Sequence, residues 1–288
     1  MYCVLNSALR KQLFYHLDGG VGVERRTFLT TIVGAAVVGG TSNTQAEQGT
    51  PKAAPEFYLW RQYVLRAGTQ PRRLADYLQG ALIPALNRLG STPIGVFEPV
   101  VGVPSPTTFT LTPVATLDAA ARLETALQKD EAFLRAAAAY LDAVATDPVY
   151  VRQETSILAA FPNVPRVEVP AATATKGPRL FELRTYESHN ERAHRLKVRM
   201  FTEMGEVDIF RRVGLTPVFF GSTIAGPRMP NLTYMLVHEN MAGRDKSWGA
   251  FGRDEDWKAL RSTPGYADAD IVSNITTVLL RPAASSQL

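Results

Sequence analysis

The chain has 288 residues, of which 45% are hydrophobic and 20% charged, as in an ordinary globular protein. Its single cysteine, Cys3, excludes an intrachain disulfide framework and a metal site built from several cysteines. The formal net charge is +4, but the first 46 residues hold four basic and two acidic side chains, which leaves the remainder at only +2. Because no basic run with interleaved aromatic residues is present, we expect no nucleic-acid partner.

The N-terminal segment has the order of features that is typical of a twin-arginine export signal. Arg25 and Arg26 precede an uncharged run, Thr30 to Gly40, and small residues follow at a plausible cleavage point. The uncharged run is much shorter than the ~20 residues that span a bilayer. We therefore expect a signal peptide at 1–46 and a flexible lead-in at 47–55. The mature chain would then be periplasmic or extracellular, with no membrane span. The alternative is a chance arginine pair before a weak membrane anchor.

The rest of the chain contains one pattern twice. Thr92-Pro93 recurs as Thr216-Pro217, and Lys129-Asp130-Glu131 recurs as Arg253-Asp254-Glu255, both at a spacing of 124 residues. This spacing is too long for a solenoid unit and is typical of a small domain. The sequence therefore predicts a tandem repeat.

Each copy has a β-α-β-β-α-β pattern of predicted elements. In the first copy we predict strands at 57–65, 93–100, 107–113 and 149–158, and helices at 70–88 and 117–144. In the second copy we predict strands at 180–187, 216–224, 231–239 and 270–280, and helices at 189–211 and 243–261. The corresponding domains are 56–161 and 179–283, with a proline-rich linker at 162–178 and a tail at 284–288.

This order of elements is the ferredoxin-like arrangement, in which helices cover one face of a four-stranded sheet. The uncovered face carries apolar residues and needs a partner. We therefore predict an α+β fold in which two tandem ferredoxin-like units pack sheet to sheet. The result would be a dimeric α/β barrel within one chain.

The second copy resembles a NIPSNAP domain. The resemblance rests on five segments: Phe181–Tyr186, Gly214–Val218, Asn231–Leu236, Trp248–Phe251 and Asp254–Trp257. The first copy is less similar, because it lacks the tryptophan pair of the second helix. The resemblance implies the dimeric α+β barrel superfamily, which includes cofactor-free monooxygenases, haem-degrading enzymes, chlorite dismutases and members of no known activity. It implies no set of catalytic residues.

Alternation along the strand at 180–187 places Glu182, Arg184 and Tyr186 on one polar face. We expect this face to line the space between the two sheets. The residues expected to line a pocket there are Arg61, Tyr63, Glu154, Glu182, Tyr234, His238 and Asn274. Buried charge costs several kcal/mol unless it is paired, so the groups form either a binding pocket or an ion-paired seam between the sheets.

His189 is the best candidate for proton transfer, since the unperturbed pKa of histidine is near ~6.5. With Tyr186 and Arg184 it forms the catalytic set that we predict. The alternative is a solvated residue at the start of a helix. His194 lies five positions further on and so faces another side, which argues against a shared metal site. No glycine-rich nucleotide loop is present, and we predict no metal and no cofactor.

These observations favour an exported protein that binds a small ligand or interacts with another protein. The alternative is a cofactor-free monooxygenase-like enzyme, or another small-molecule oxidoreductase, that uses a polar pocket between the sheets. The partner is an unknown small molecule or protein, and assembly into a homo-oligomer is left open. A pocket of a few hundred Å³ lined by the polar groups above would favour the enzyme.

Overall fold

The computed structural model describes residues 54–104 and 106–288. The predicted export signal, with Arg25 and Arg26, lies outside these residues. None of the helices in the described part of the chain is long and apolar enough to cross a membrane.

The described residues form eight strands and nine α-helices. The strands are β1 (Phe57–Val64), β2 (Gly95–Val101), β3 (Thr107–Val114), β4 (Arg152–Ala160), β5 (Leu180–Glu187), β6 (Thr216–Ala225), β7 (Asn231–His238) and β8 (Asn274–Pro282). The helices are α1 (Gln70–Tyr77), α2 (Ile83–Arg88), α3 (Leu117–Leu127), α4 (Glu131–Leu141), α5 (Glu191–Thr202), α6 (Glu206–Arg212), α7 (Met241–Arg253), α8 (Glu255–Arg261) and α9 (Asp268–Ile271). A π-helical turn at Leu78–Leu82 joins α1 to α2, so helical backbone runs through the predicted 70–88.

The eight strands form one closed antiparallel barrel in the order β1-β3-β2-β8-β5-β7-β6-β4. We call β1–β4 with α1–α4 the first half, and β5–β8 with α5–α9 the second half. The halves meet where β2 pairs with β8 and where β4 pairs with β6. The predicted α+β class and barrel are confirmed, but the two sheets join edge to edge and do not pack as separate layers. Edge pairing removes the unpaired strand edges that an open sheet would expose.

Large apolar side chains fill much of the barrel interior. Trp60 of β1 stacks on Phe109 of β3, with ring centroids 5.2 Å apart. Phe97 of β2 meets Phe181 of β5 edge-on at 4.9 Å, which ties the two halves together. An eight-stranded barrel is just wide enough for side chains to fill it or for one small ligand. The helices lie outside and enclose a separate apolar core in each half.

Three of the four helices predicted from the sequence, 117–144, 189–211 and 243–261, each break once, and the prediction of continuous helices is wrong there. Asp130 accepts a hydrogen bond from the Phe133 backbone N–H at 2.9 Å and begins α4. Asp254 accepts one from the Trp257 backbone N–H at 3.1 Å and begins α8. Aspartate is a preferred N-cap because its carboxylate satisfies the free N–H groups of the first turn. Gly205, with φ of 86°, separates α5 from α6.

The C-terminal residues, predicted as a tail, pack along β2. The Gln287 backbone N–H donates to the Ile94 carbonyl at 2.9 Å, and the Val96 N–H donates to Ser286 Oγ at 3.0 Å. Leu288 is fully buried in the barrel core. It lies at the end of the barrel where β1, β2 and β5 begin.

Gly221 tests how tightly the barrel is closed, because it pairs with Ala160 across the β4–β6 joint. A Cβ at this position would lie 2.9 Å from Leu158 Cβ and 3.2 Å from the Ala159 carbonyl oxygen. These atoms cannot rotate away, so we expect Gly221→Ala to lower the free energy of unfolding by about 1–3 kcal/mol in chemical denaturation.

Gly80→Ala is the matched control. Gly80 lies in exposed helical backbone, and a Cβ there meets no atom within 4 Å. Alanine has the higher helix propensity, so this variant should be more stable by about 0.5–1 kcal/mol. If both variants had the same stability as the parent, the close packing at the joint would be contradicted.

Candidate functional site

The polar face of β5 points away from the barrel interior and toward the helices. Phe181 and Leu183 belong to the barrel core, whereas Tyr186 packs under α5 in the helix-side core. The prediction that Glu182, Arg184 and Tyr186 line the space between the sheets is therefore wrong. The physical reason is that the narrow interior takes the large apolar side chains, while helix side chains supply partners for the polar ones.

Glu182 is the centre of a buried network between β5 and α7. Its carboxylate accepts two hydrogen bonds from Arg244, at 2.9 and 2.8 Å, and one from Trp248 Nε1 at 2.7 Å. His238 Nε2 lies 3.2 Å from the same carboxylate. Arg184 is 3.5 Å away, and its guanidinium stacks over the Trp248 ring at 4.5 Å. This ion-paired network joins the sheet to a helix, so the alternative prediction of a seam between the two sheets is wrong for these residues.

This network decides the charge state of Glu182. Burial alone would raise the pKa of its carboxyl group. The hydrogen bonds from His238, Arg244 and Trp248 outweigh burial and lower the pKa to about 2. A carboxylate with this many donors is held in one position and has no free lone pair for a ligand. We therefore assign Glu182 and its partners a structural role.

A second buried network surrounds Lys197 of α5, which is 1% exposed. Its Nζ lies 3.4 Å from Glu206 and 3.1 Å from Asp268, and it also faces the Tyr186 ring at 5.3 Å. Burial raises the pKa of Glu206 to about 7, against the attraction of Lys197. Sequence reasoning missed this network, because a single lysine on a helix gives no sign that two distant acids converge on it.

The remaining helix-side candidates are also away from the barrel interior. Tyr234 donates a hydrogen bond to the Tyr186 hydroxyl at 3.1 Å in the core of the second half. Arg61, at the same place in β1 as Arg184 in β5, donates to Thr155 at 3.2 Å and to the Tyr63 hydroxyl at 3.3 Å. Arg61 and Tyr63 thus face the helices of the first half.

The last three predicted residues lie at or near the ends of strands: His189 follows β5, Asn274 begins β8, and Glu154 is near the start of β4. His189 is exposed in the turn after β5. Asn274 is exposed and donates to Glu187 at 2.9 Å. Glu154 lines a cavity within the barrel and is paired with Arg152 at 2.7 Å. Because Arg184 and Tyr186 lie under the helices, the structure does not bring them together with His189 in one pocket.

The barrel interior holds a cavity of about 330 Å³ at the end where β1, β2 and β5 finish. Its inner wall is apolar and includes Trp60, Phe109, Leu158, Leu183 and Val278. Its mouth is polar and includes Gln62, Glu154, Ser156, Thr185, Thr223, Arg228, Asn231, Thr233 and Thr276. Of the residues predicted to line a pocket, Glu154 is the one found here. The others alternate to the opposite face of their strands or lie beyond the cavity.

The mouth residues hold one another in place. Thr185 and Thr233 share a hydrogen bond at 2.9 Å, Thr223 donates to Asn231 at 2.6 Å, and Arg228 donates to Thr276 at 3.3 Å. Within residues 54–104 and 106–288, no group of three or more His, Cys, Asp or Glu side chains could hold a metal ion. The cavity thus offers hydroxyl and amide groups for orientation and one side chain of each charge.

Glu182→Gln tests the charged network. The folded pKa lies below the ordinary value of 4.5, so ionised Glu182 stabilises the fold above about pH 4.5, and this contribution is lost as the pH falls toward 2. We expect the variant to lose about 3 kcal/mol of unfolding free energy at neutral pH, with the loss shrinking in denaturation series at lower pH.

Glu154→Gln is the control for this series, because Glu154 is in an exposed ion pair. It should change stability by no more than about 1 kcal/mol at any pH. A loss for the Glu182 variant that did not depend on pH would contradict the assigned charge state.

Comparisons with known proteins agree with this fold. The NIPSNAP family model matches residues 181–287. A proposed monooxygenase from Lactobacillus acidophilus NCFM superposes with a TM-score of 0.53 at 9% identity, covering 79% of this chain and 94% of its own. A proposed monooxygenase from Fusobacterium nucleatum subsp. nucleatum ATCC 25586 gives 0.49 at 7% identity, covering 80% of this chain and 93% of its own.

A NIPSNAP family protein from Agrobacterium tumefaciens str. C58 gives a TM-score of 0.34 at 17% identity, covering 38% of this chain and 98% of its own. No curated protein sequence matches. At these identities the likeness concerns the fold and not the activity. Residues 181–287 thus match the NIPSNAP family model, and the chain shares the fold of the Lactobacillus acidophilus protein.

Proposed function

We propose that this protein binds a small molecule in the barrel cavity. The observation that carries the proposal is a cavity of about 330 Å³ with an apolar wall and a polar mouth. Ligand pockets in proteins commonly have volumes of ~300–1,000 Å³, with a few polar groups that fix orientation.

The wall of the cavity favours a flat apolar body. Trp60 and Phe109 are stacked with an angle of 17° between their rings, and both line the cavity. Leu183 and Val278 line the facing side. An aromatic or alicyclic ring would bury its surface against these groups, which contributes about 25 cal/mol per Å² of apolar area.

The mouth favours hydroxyl or carbonyl groups at one end of the ligand. Threonine and serine hydroxyls can donate or accept, and Asn231 adds an amide. Glu154 and Arg228 are the charged side chains among the described lining residues, and their charges are opposite. A neutral ligand with a polar end fits this balance better than a strongly charged one.

We also infer that the two halves are tandem ferredoxin-like units. The strand order β4-β1-β3-β2 in the first half corresponds to β8-β5-β7-β6 in the second. The Arg88–Asp130 ion pair recurs as Arg212–Asp254, 124 residues further on. Gly90 and Gly214 both have φ of 84° after a helix. Under this inference one chain supplies both halves of the ligand site.

The alternative, a cofactor-free monooxygenase or another oxidoreductase, has less support from the geometry. Arg184 and Tyr186 face away from the cavity, and His189 does not line it. An enzyme of this type would have to act with Glu154 and Arg228 at the mouth. Oxygen consumption in the presence of a ligand that binds the cavity would favour the enzyme, and binding without oxygen consumption would favour a protein that only binds its ligand.

Thr276→Trp tests the cavity by filling its mouth. We expect neutral ring compounds that bear hydroxyl or carbonyl groups to raise the melting temperature of the parent protein in a ligand screen. A ligand at a free concentration of 100 times its Kd raises the free energy of unfolding by about 2.7 kcal/mol. The variant should melt near the parent temperature without ligand and lose the ligand-induced shift.

Ile275→Trp is the matched control, since Ile275 precedes Thr276 on β8, points to the other face and is 39% exposed. It should keep the shift. Equal ligand-induced shifts of the melting temperature in the two variants would place binding outside the cavity and overturn the proposal. A screen in which no compound binds the parent protein would also overturn it.

We further propose that the chain is exported by the twin-arginine pathway, on the basis of Arg25, Arg26 and the uncharged run that follows them. In a bacterium with this pathway, the double variant Arg25→Lys, Arg26→Lys should retain an uncleaved chain in the cytoplasm, whereas the parent is recovered cleaved from the periplasm. Arg10→Lys, outside the motif, should be exported like the parent. Export of the double variant at the parent level would contradict the proposal.

A further inference from the structure

The first half contains a second cavity, of about 120 Å³, between the outer face of its sheet and its helices. Leu59, Arg61 and Thr112 line it from the strands, and Ala120, Leu123 and Glu124 line it from α3. It does not share a lining residue with the barrel cavity. The two cavities lie on opposite faces of β1, because Trp60 faces inward and Arg61 outward.

Arg61 is a half-buried cation without an acidic partner among the described residues. Its guanidinium donates to Thr155 and to the Tyr63 hydroxyl, and none of the ion pairs found among the described residues involves it. The other groups around it, Tyr77 and Tyr140, are neutral phenols. Removing a charge from water costs several kcal/mol unless an opposite charge accompanies it. Among the described residues, Arg61 therefore has no carboxylate within ion-pair distance.

The second half shows what fills the corresponding place. Glu182, Arg244 and Trp248 occupy the positions that correspond to Leu59, Ala120 and Glu124. The strand register supports this correspondence, since Leu59 pairs with Thr112 as Glu182 pairs with Leu236.

In the second half, a carboxylate and a tryptophan ring satisfy Arg184. The Glu182 carboxylate lies 3.5 Å from its guanidinium, and the Trp248 ring is stacked under it at 4.5 Å. In the first half Arg61 stands at the position of Arg184. Leu59 stands where the second half has Glu182, and Glu124 stands where it has Trp248. The space that these groups fill in the second half is the cavity in the first.

We propose that this cavity binds a small carboxylic acid with an apolar body no larger than one ring, of the benzoate class. The carboxylate would pair with Arg61, and the ring would lie against Leu59 and Leu123, as Trp248 lies beside Arg184 in the second half. A closed cavity of about 150 Å³ accommodates benzene. The present cavity is slightly smaller but is bordered by the exposed Glu124, so part of a ring can extend toward solvent.

Arg61 and Glu124 are the charged side chains among the described residues that line this cavity. Glu124 accepts a hydrogen bond from Gln128 at 3.0 Å, which holds its carboxylate along the helix surface. Its negative charge opposes the entry of an anion. Replacing it with glutamine should therefore strengthen binding of an acid, whereas the same change would remove the partner of Arg61 if Glu124 were its internal counter-ion.

Calorimetric titration of the full chain with benzoate tests the proposal. We expect saturable binding, and binding of the neutral analogue benzamide that is weaker by at least about tenfold, because it lacks the charge that Arg61 requires. Glu124→Gln should bind benzoate more tightly than the parent.

Ala120→Leu fills the cavity and should weaken benzoate binding by at least about tenfold. Ala121→Leu, on the exposed neighbouring position of α3, is the matched control and should bind like the parent. Thr276→Trp should also bind like the parent, since it alters only the barrel cavity. This variant separates the present proposal from the proposed function.

Three results would overturn the proposal. The first is the absence of saturable benzoate binding to the parent chain. The second is equal affinity for benzoate and benzamide, which would remove the role of the charge. The third is equal affinity of the Ala120 and Ala121 variants, provided that both melt as cooperatively as the parent.

Discussion

The closure of the barrel depends on hydrogen bonding between strands of different halves. Where β2 meets β8 and β4 meets β6, edges that would be open in a single four-stranded sheet are paired. This closure assigns every strand residue to one of two environments, a narrow interior or a layer beneath helices. The interior is filled by aromatic and aliphatic side chains over most of its length and becomes polar at one end. The ligand cavity that we propose exists because the small side chains at that end leave the interior unfilled.

The same assignment explains why the charged residues lie under the helices. In the second half Glu182 pairs with Arg184 and Arg244, and Arg244 also pairs with Asp245. Lys197 has its own acidic partners. In the first half Arg61 stands at the position of Arg184, but Leu59 takes the place of the Glu182 carboxylate. The two halves thus have the same strand order and different electrostatics. The second half pairs Arg184 with a carboxylate of its own, while the first leaves a cation and a volume that an outside molecule can occupy.

Much of the fold could be predicted from the sequence, and the site could not. Strand positions followed from alternation and turn residues, and the 124-residue spacing also separates the Arg88–Asp130 ion pair from the Arg212–Asp254 ion pair. Alternation defines two faces of a strand but does not say which one is inside. The predicted orientation of the polar face of β5 is wrong for this reason. The helix breaks could have been found, since Asp130 and Asp254 have the residue type and position of N-caps. The convergence of Lys197 with Glu206 and Asp268 leaves no local pattern.

The packing of the C-terminal residues along β2 bears on how a molecule would enter and leave the barrel. Leu288, Phe97 and Phe181 occupy the end of the interior that lies opposite the polar mouth. Passage through that end would require several large side chains to separate at once. Exchange of a bound molecule would then proceed through a single opening. Its residence time would then depend both on the opening of the threonines and the arginine at the rim and on how tightly Trp60 and Phe109 hold it.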